Sequence, residues 1–150
     1  MNPKKLGGLS ATIGTVAALR SPKGCPWDRK QTHKSLIPYL MEESKELAQA
    51  LKKGSAHEIE DELGDVLFQV LLHARIAEEA GLFDINDVAK SLGLKLRRRH
   101  PHVFGDRKFK TAHDVLRHWN EVKGQERILR RQDVARRGLA RKAAGRRKAR

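Results

Sequence analysis

"MEESKELAQALKKGSAHEIEDELGDVLFQV", residues 41–70, decides how this chain folds. It carries eight carboxylates, Glu42, Glu43, Glu46, Glu58, Glu60, Asp61, Glu62 and Asp65, and then turns almost wholly apolar. Gly54-Ser55 breaks the stretch in two. Ser55 followed three residues later by Glu58 is a capping box, the signature of a helix start, and the glycine before it stops the preceding helix. Two helices joined by so short a turn pack as antiparallel neighbours. The spacing predicts the first of them over about 34–53 and the second from the Ser55 cap to Ala80, where Gly81 ends it.

The acids do not lie where solvated charge belongs. Leu36, Leu40, Leu47 and Ala50 or Leu51 form the apolar stripe of the first helix; Glu43 falls inside that stripe and Glu46 on the same side. On the second helix Glu62 and Asp65, again three apart, lead into Val66-Leu67-Phe68 and Val70-Leu71-Leu72, a run expected to be buried on almost every side. Pairing the hairpin turns Glu43 and Glu46 toward Glu62 and Asp65. Four converging carboxylates repel one another and raise their own pKa values. A hard divalent cation with oxygen ligands removes that cost, and Mg²⁺, with Mn²⁺ as a substitute, suits an all-carboxylate set. No Cys/His set competes, and His73 reads as a satisfied core histidine.

The surrounding 150-residue chain has a formal net charge of +14, which is unevenly spread. Residues 127–150 hold 11 Lys/Arg against Asp133 alone, a net +10, leaving the body at +4. The predicted organisation is therefore a domain over 1–126 and a basic, flexible tail over 127–150. Strand signals are scarce, so the fold class is all-α. Further helices are predicted over about 9–20, 85–100 and from 112 past Lys123, with "GCPWDRKQT" as a loop. The N-terminal residues imitate a signal peptide, but Leu9, Ile13, Val16 and Leu19 keep helical spacing and read as an amphipathic helix. No stretch is long and apolar enough to span a bilayer. Cys25 allows no internal disulfide and reads as structural, and a reducing, cytoplasmic setting is expected. A small core with few aromatics is expected to be completed by a homodimer or a higher homo-oligomer.

With "EESKE" followed by "ELGD", the chain resembles the MazG family of nucleoside triphosphate pyrophosphohydrolases. "GCPWDRKQTH", "KLRRRHPHVFGD" and "WNEVKGQE" extend the resemblance over about 9–126. It implies an all-α bundle that hydrolyses nucleoside triphosphates between the α and β phosphates, giving monophosphate and pyrophosphate. Carried over, the metal ligands are Glu43, Glu46, Glu62 and Asp65, with Glu42 and Asp61 adjoining them to orient or activate water. Lys95, Arg98 and Arg99 share one edge of a helix and are expected to clamp phosphate oxygens. The resemblance puts Trp119 against base or sugar and Lys123 toward phosphate. Glu58 and Trp27 complete the expected substrate-contacting set. The rival reading, from another class, is a nucleic-acid-associated helical protein that binds without sequence preference through its Arg-rich tail.

Overall fold

A computed structural model describes residues 7–148, with side chains through Leu129 and at Arg131. The described residues form seven helices and no strand: α1 (Gly8–Leu19), α2 (Pro26–Lys30), α3 (Ile37–Lys53), α4 (Ala56–Glu79), α5 (Ile85–Arg99), α6 (Pro101–Phe104) and α7 (Ala112–Lys148). The all-α expectation holds. Two short helices, α2 and α6, replace expected loop and turn. Each opens with proline at its first position, where the fixed φ and the missing N–H cost nothing. Residues 127–148 continue α7; the side chains that would carry tail-mediated binding lie almost wholly outside the described residues. No helix of the described residues is long and apolar enough to cross a membrane.

The chain divides into two compact units between Lys90 and Ser91. In the first, α3 and α4 form the predicted antiparallel hairpin and α1 packs on α4. The capping box is present in full: the Glu58 backbone N–H donates to Ser55 Oγ, and the Ser55 N–H donates to Glu58 Oε2. Gly54 is required at the turn, because a Cβ there would stand 2.6 Å from the Ala50 carbonyl oxygen. The core gathers Val16 of α1, Leu36 just before α3, and Leu71 and Leu72 of α4, with Ile13, Phe68, Ile76 and Ile85 packed against them. Arg20 ties the ends together. Its guanidinium pairs with Glu79 of α4 at 2.7 Å and donates to the Asp28 and Gln31 carbonyls around α2.

The apolar run of α4 is less buried than its sequence suggests. Leu71 and Leu72 are buried, but Leu63, Leu67 and Val70 remain 51%, 40% and 39% exposed. The reason is geometric: α1 and α3 cover two sides of α4, and these residues, at i, i+4 and i+7, make a stripe on a third. Leu51, a candidate for the α3 stripe, is likewise exposed, and Ala50 takes the inward place. In the second unit Val122, His118 and Glu126 of α7 are buried, and Phe109 packs between the rings of His102 and His118 at 5.1 and 5.2 Å.

Because the hairpin turn admits no side chain, Gly54→Ala is expected to destabilise the protein by about 1–3 kcal/mol, the usual cost of forcing atoms into a filled space. Urea unfolding of the two proteins measures it, and equal midpoints would show that the turn relaxes freely.

Candidate active site

The hairpin brings Glu43 of α3 level with Glu62 and Asp65 of α4. One carboxylate oxygen from each lies within 4.8 Å of the other two. Glu43 and Glu62 are half-buried and Asp65 is exposed, so the trio opens to solvent on one side. Glu62 Oε2 is buried and without a hydrogen-bond partner. Burial lifts the Glu43 carboxyl above its ordinary 4.5, with the charges of Asp65, Glu46, Glu42 and Glu62 adding to the effect. Glu62 is raised in the same way, by burial first and then by Glu46, Asp65, Asp61 and Glu58.

An unpartnered buried oxygen on Glu62, mutual repulsion and hard donors suit a divalent cation of the magnesium type. The residues present fit such an ion. Glu46 stands outside the trio, exposed, yet near enough for its charge to act on both Glu43 and Glu62. It lines an open cavity of about 380 Å³ with Gln49, Ala50, Lys53, Gly54, Glu58 and Glu62. Glu58 therefore has two tasks, as helix cap and as cavity wall. Lys53 is a cation there that the sequence reading missed. The available signal was its spacing, since 46, 50 and 53 fall on one helix face. Glu42 and Asp61 are exposed neighbours of the cluster.

The remaining first-unit expectations fare differently. Trp27 is 47% exposed and meets Tyr39 edge-on at 5.4 Å. His73 is not fully satisfied: its Nδ1 lies 2.9 Å from His33 Nδ1, while its Nε2 is buried without a partner. Burial, then the neighbouring His33, lowers its pKa.

The second unit holds the cationic residues. Lys95 is half-buried on α5, one turn ahead of Arg99. Trp119 of α7 is half-buried, with the Arg99 guanidinium 5.6 Å and the Lys123 ammonium 5.3 Å from its ring centroid, in cation–π range. Arg98 and Arg99 both turn to Glu126, a residue the sequence reading left without a role. Arg98 gives both Nε and Nη2 to Glu126 Oε1, whereas Arg99 gives only Nη2, at 2.5 Å, to Oε2. Arg99 Nε and Trp119 Nε1 are buried with no partner. The hydrogen bond from Arg99, followed by that from Arg98, holds the Glu126 carboxyl down at about 2.

A helical hairpin that converges three carboxylates defines an all-α protein with an acidic cluster of hard oxygen donors, of the kind that suits a divalent cation. Residues 31–104 match the MazG nucleotide pyrophosphohydrolase domain, and the chain belongs to the MazG family. It is 50% identical over 115 residues to the nucleoside triphosphate pyrophosphohydrolase/pyrophosphatase MazG of Thermotoga maritima, covering 77% of this chain and 44% of that one. It is 39% identical over 128 residues to the nucleoside triphosphate pyrophosphohydrolase of Escherichia coli K12, covering 85% and 49%. The chain thus spans less than half the length of these relatives. The crystal structure of a mazG-related protein from Thermotoga maritima superposes with a TM-score of 0.63 at 28% identity, over 77% of this chain and 99% of that one.

The raised Glu43 carboxyl has a pH consequence with a defined sign. Its folded pKa lies above the unfolded one, so its protonation stabilises the fold at low pH, and that contribution is lost as pH rises through the folded value. In EDTA at neutral pH, Glu43→Gln is expected to melt above the wild type, with the gap closing as pH falls toward 4.5. Added Mg²⁺ or Mn²⁺ should raise the wild-type melting temperature and move the variant less. Thermal melts over pH, with and without metal, measure both effects.

Proposed function

We propose that the chain hydrolyses nucleoside triphosphates between the α and β phosphates, in a Mg²⁺-dependent reaction releasing nucleoside monophosphate and pyrophosphate. The observation that carries this reading is the convergence of Glu43, Glu62 and Asp65 across the α3–α4 hairpin. A bound divalent ion supplies charge neutralisation and an acidified water. The protein residues supply the rest. Glu43, Glu62 and Asp65 hold the ion, and Glu46 stands beside them at the cavity wall to orient a second ion or the attacking water. Glu42 and Asp61 extend the acidic surround, where a water proton can be accepted. Lys53 faces the cavity that Glu46 and Glu58 line, where it offers a positive charge to phosphate. Lys95, Arg99 and Lys123 are assigned to the phosphates, and Trp119 to base or sugar. Arg98, with Nε and Nη2 both spent on Glu126, takes a supporting place in that set. Trp27, exposed near the start of α3, is assigned to the substrate rim.

A second copy of the chain is the proposed cover for the Leu63, Leu67 and Val70 stripe, since a monomer would leave these side chains in water. The cytoplasm, where triphosphates are available and the free Cys25 stays reduced, is the proposed setting. Nucleic-acid contact through 127–150 rests on charge alone.

Product analysis tests the reaction: pyrophosphate and monophosphate are expected, and orthophosphate with diphosphate would overturn the bond assignment. Glu62→Gln should lower kcat by about 100-fold or more, since even partners that merely orient metal ligands cost 10–100-fold. Removing 127–150 should leave turnover intact; its loss, together with salt-dependent nucleic-acid affinity, would favour the rival. Leu67→Glu should shift the protein toward monomer in light scattering.

A further inference from the structure

Glu126 is a buried acid in a strongly basic stretch of chain, 9% exposed, with a role that neither the acidic hairpin nor the helix ends explain. Its two oxygens divide their work. Oε1 takes both Nε and Nη2 of Arg98, which spends two of that arginine's N–H groups. Oε2 takes only Nη2 of Arg99, leaving Arg99 Nε unpartnered and the guanidinium held against the Trp119 ring. Lys123, one turn before Glu126 on the same helix, lies against that ring as well. Two cations on one aromatic ring repel each other, and an arginine side chain has many rotamers. A fixed carboxylate beneath one edge of the guanidinium overcomes both effects.

Resting on the triphosphate reading above, we infer that Glu126 is a positioning residue that pre-orients Arg99 over Trp119 for an incoming polyphosphate. It touches no substrate. It acts through Arg99, paying part of the ordering entropy before the ligand arrives. With its carboxyl held at about 2, it stays ionised throughout the range in which triphosphates exist as polyanions, so the orientation does not titrate away. The arrangement differs between neighbours: Arg98, the more exposed, spends two N–H groups on Oε1, whereas Arg99, largely buried, spends one on Oε2 and keeps its Nε unpartnered beside Trp119.

Inorganic tripolyphosphate, titrated calorimetrically in EDTA into the full chain, reads this function without any need for turnover. Glu126→Gln should weaken binding about 10-fold or more, the scale seen when partners that orient a ligand-contacting group are removed. Arg99→Ala should weaken it at least as much. The double variant should match Arg99→Ala alone, because Glu126 works through that residue. In turnover assays KM should rise by a similar factor with kcat nearly unchanged. Glu126→Asp, which keeps the charge on a shorter arm, should fall between wild type and Gln and covers the case in which Gln fails to fold. The inference is overturned by wild-type affinity in both Glu126 variants, by full additivity with Arg99→Ala, or by a wild type that does not bind tripolyphosphate. Nucleoside triphosphate turnover by the wild type is followed in parallel. Its absence, with tripolyphosphate binding intact and sensitive to Glu126, would remove the hydrolase reading and leave the role of Glu126 standing.

Discussion

Like charge held at close quarters is the constraint on which the first unit turns. Glu43, Glu62 and Asp65 would separate in any flexible peptide. They stay together because the hairpin leaves them no choice: Leu36, Leu71 and Leu72 are buried at one end of the helix pair, and the Gly54-Ser55 turn closes the other. Holding the acids there has an electrostatic cost: burial first, and the charges of the neighbouring acids second, raise the Glu43 and Glu62 carboxyls. The divalent cation proposed for this site would relieve that cost, so that folding would prepare what binding completes.

The hairpin was legible because its signals are local. A capping box spans four residues, a glycine stop one, and two acid pairs at i, i+3 each place their charges on one helix face. Helical periodicity then makes a statement about three dimensions from a stretch of thirty residues. The same reasoning failed where burial depends on what else is present. An apolar run on almost every side of α4 implies burial on almost every side, but α1 and α3 cover two, and the Leu63–Leu67–Val70 stripe stays open. Glu46 shows the finer limit. Its place on the face of Glu43 was readable, but a turn of helix carries it past the point where the three closest oxygens meet.

Glu126 lay beyond such reading for another reason. Its partners Arg98 and Arg99 precede it by more than twenty residues and sit on a different helix. In sequence it is one acid before a long basic stretch, where the simplest account is charge balance. Only the packing of α5 and α7 turns it from a diluent of positive charge into a fixed acceptor with two assigned donors. Lys53 is the opposite case: its helix face was computable, yet a lysine near a helix C-terminus has a ready explanation in the helix dipole, which hid its place on the cavity wall.

Acids in the two units are therefore tuned in opposite directions. Burial, and then the surrounding acids, pushes the carboxyls of Glu43 and Glu62 up; the hydrogen bonds of Arg99 and Arg98 hold that of Glu126 down. The residue type is the same and the neighbours decide the role. A desolvated carboxylate among other acids would gain from a cation, which is where the proposed metal ion is assigned. A depressed carboxylate has all the cation it needs, and so is free to orient the surplus. On the reading proposed above, hydrolysis of a polyanion would draw on both kinds of positive charge, one brought in by a metal and one already built into the chain. On that reading each task falls to carboxylates whose surroundings, and not their residue type, suit it.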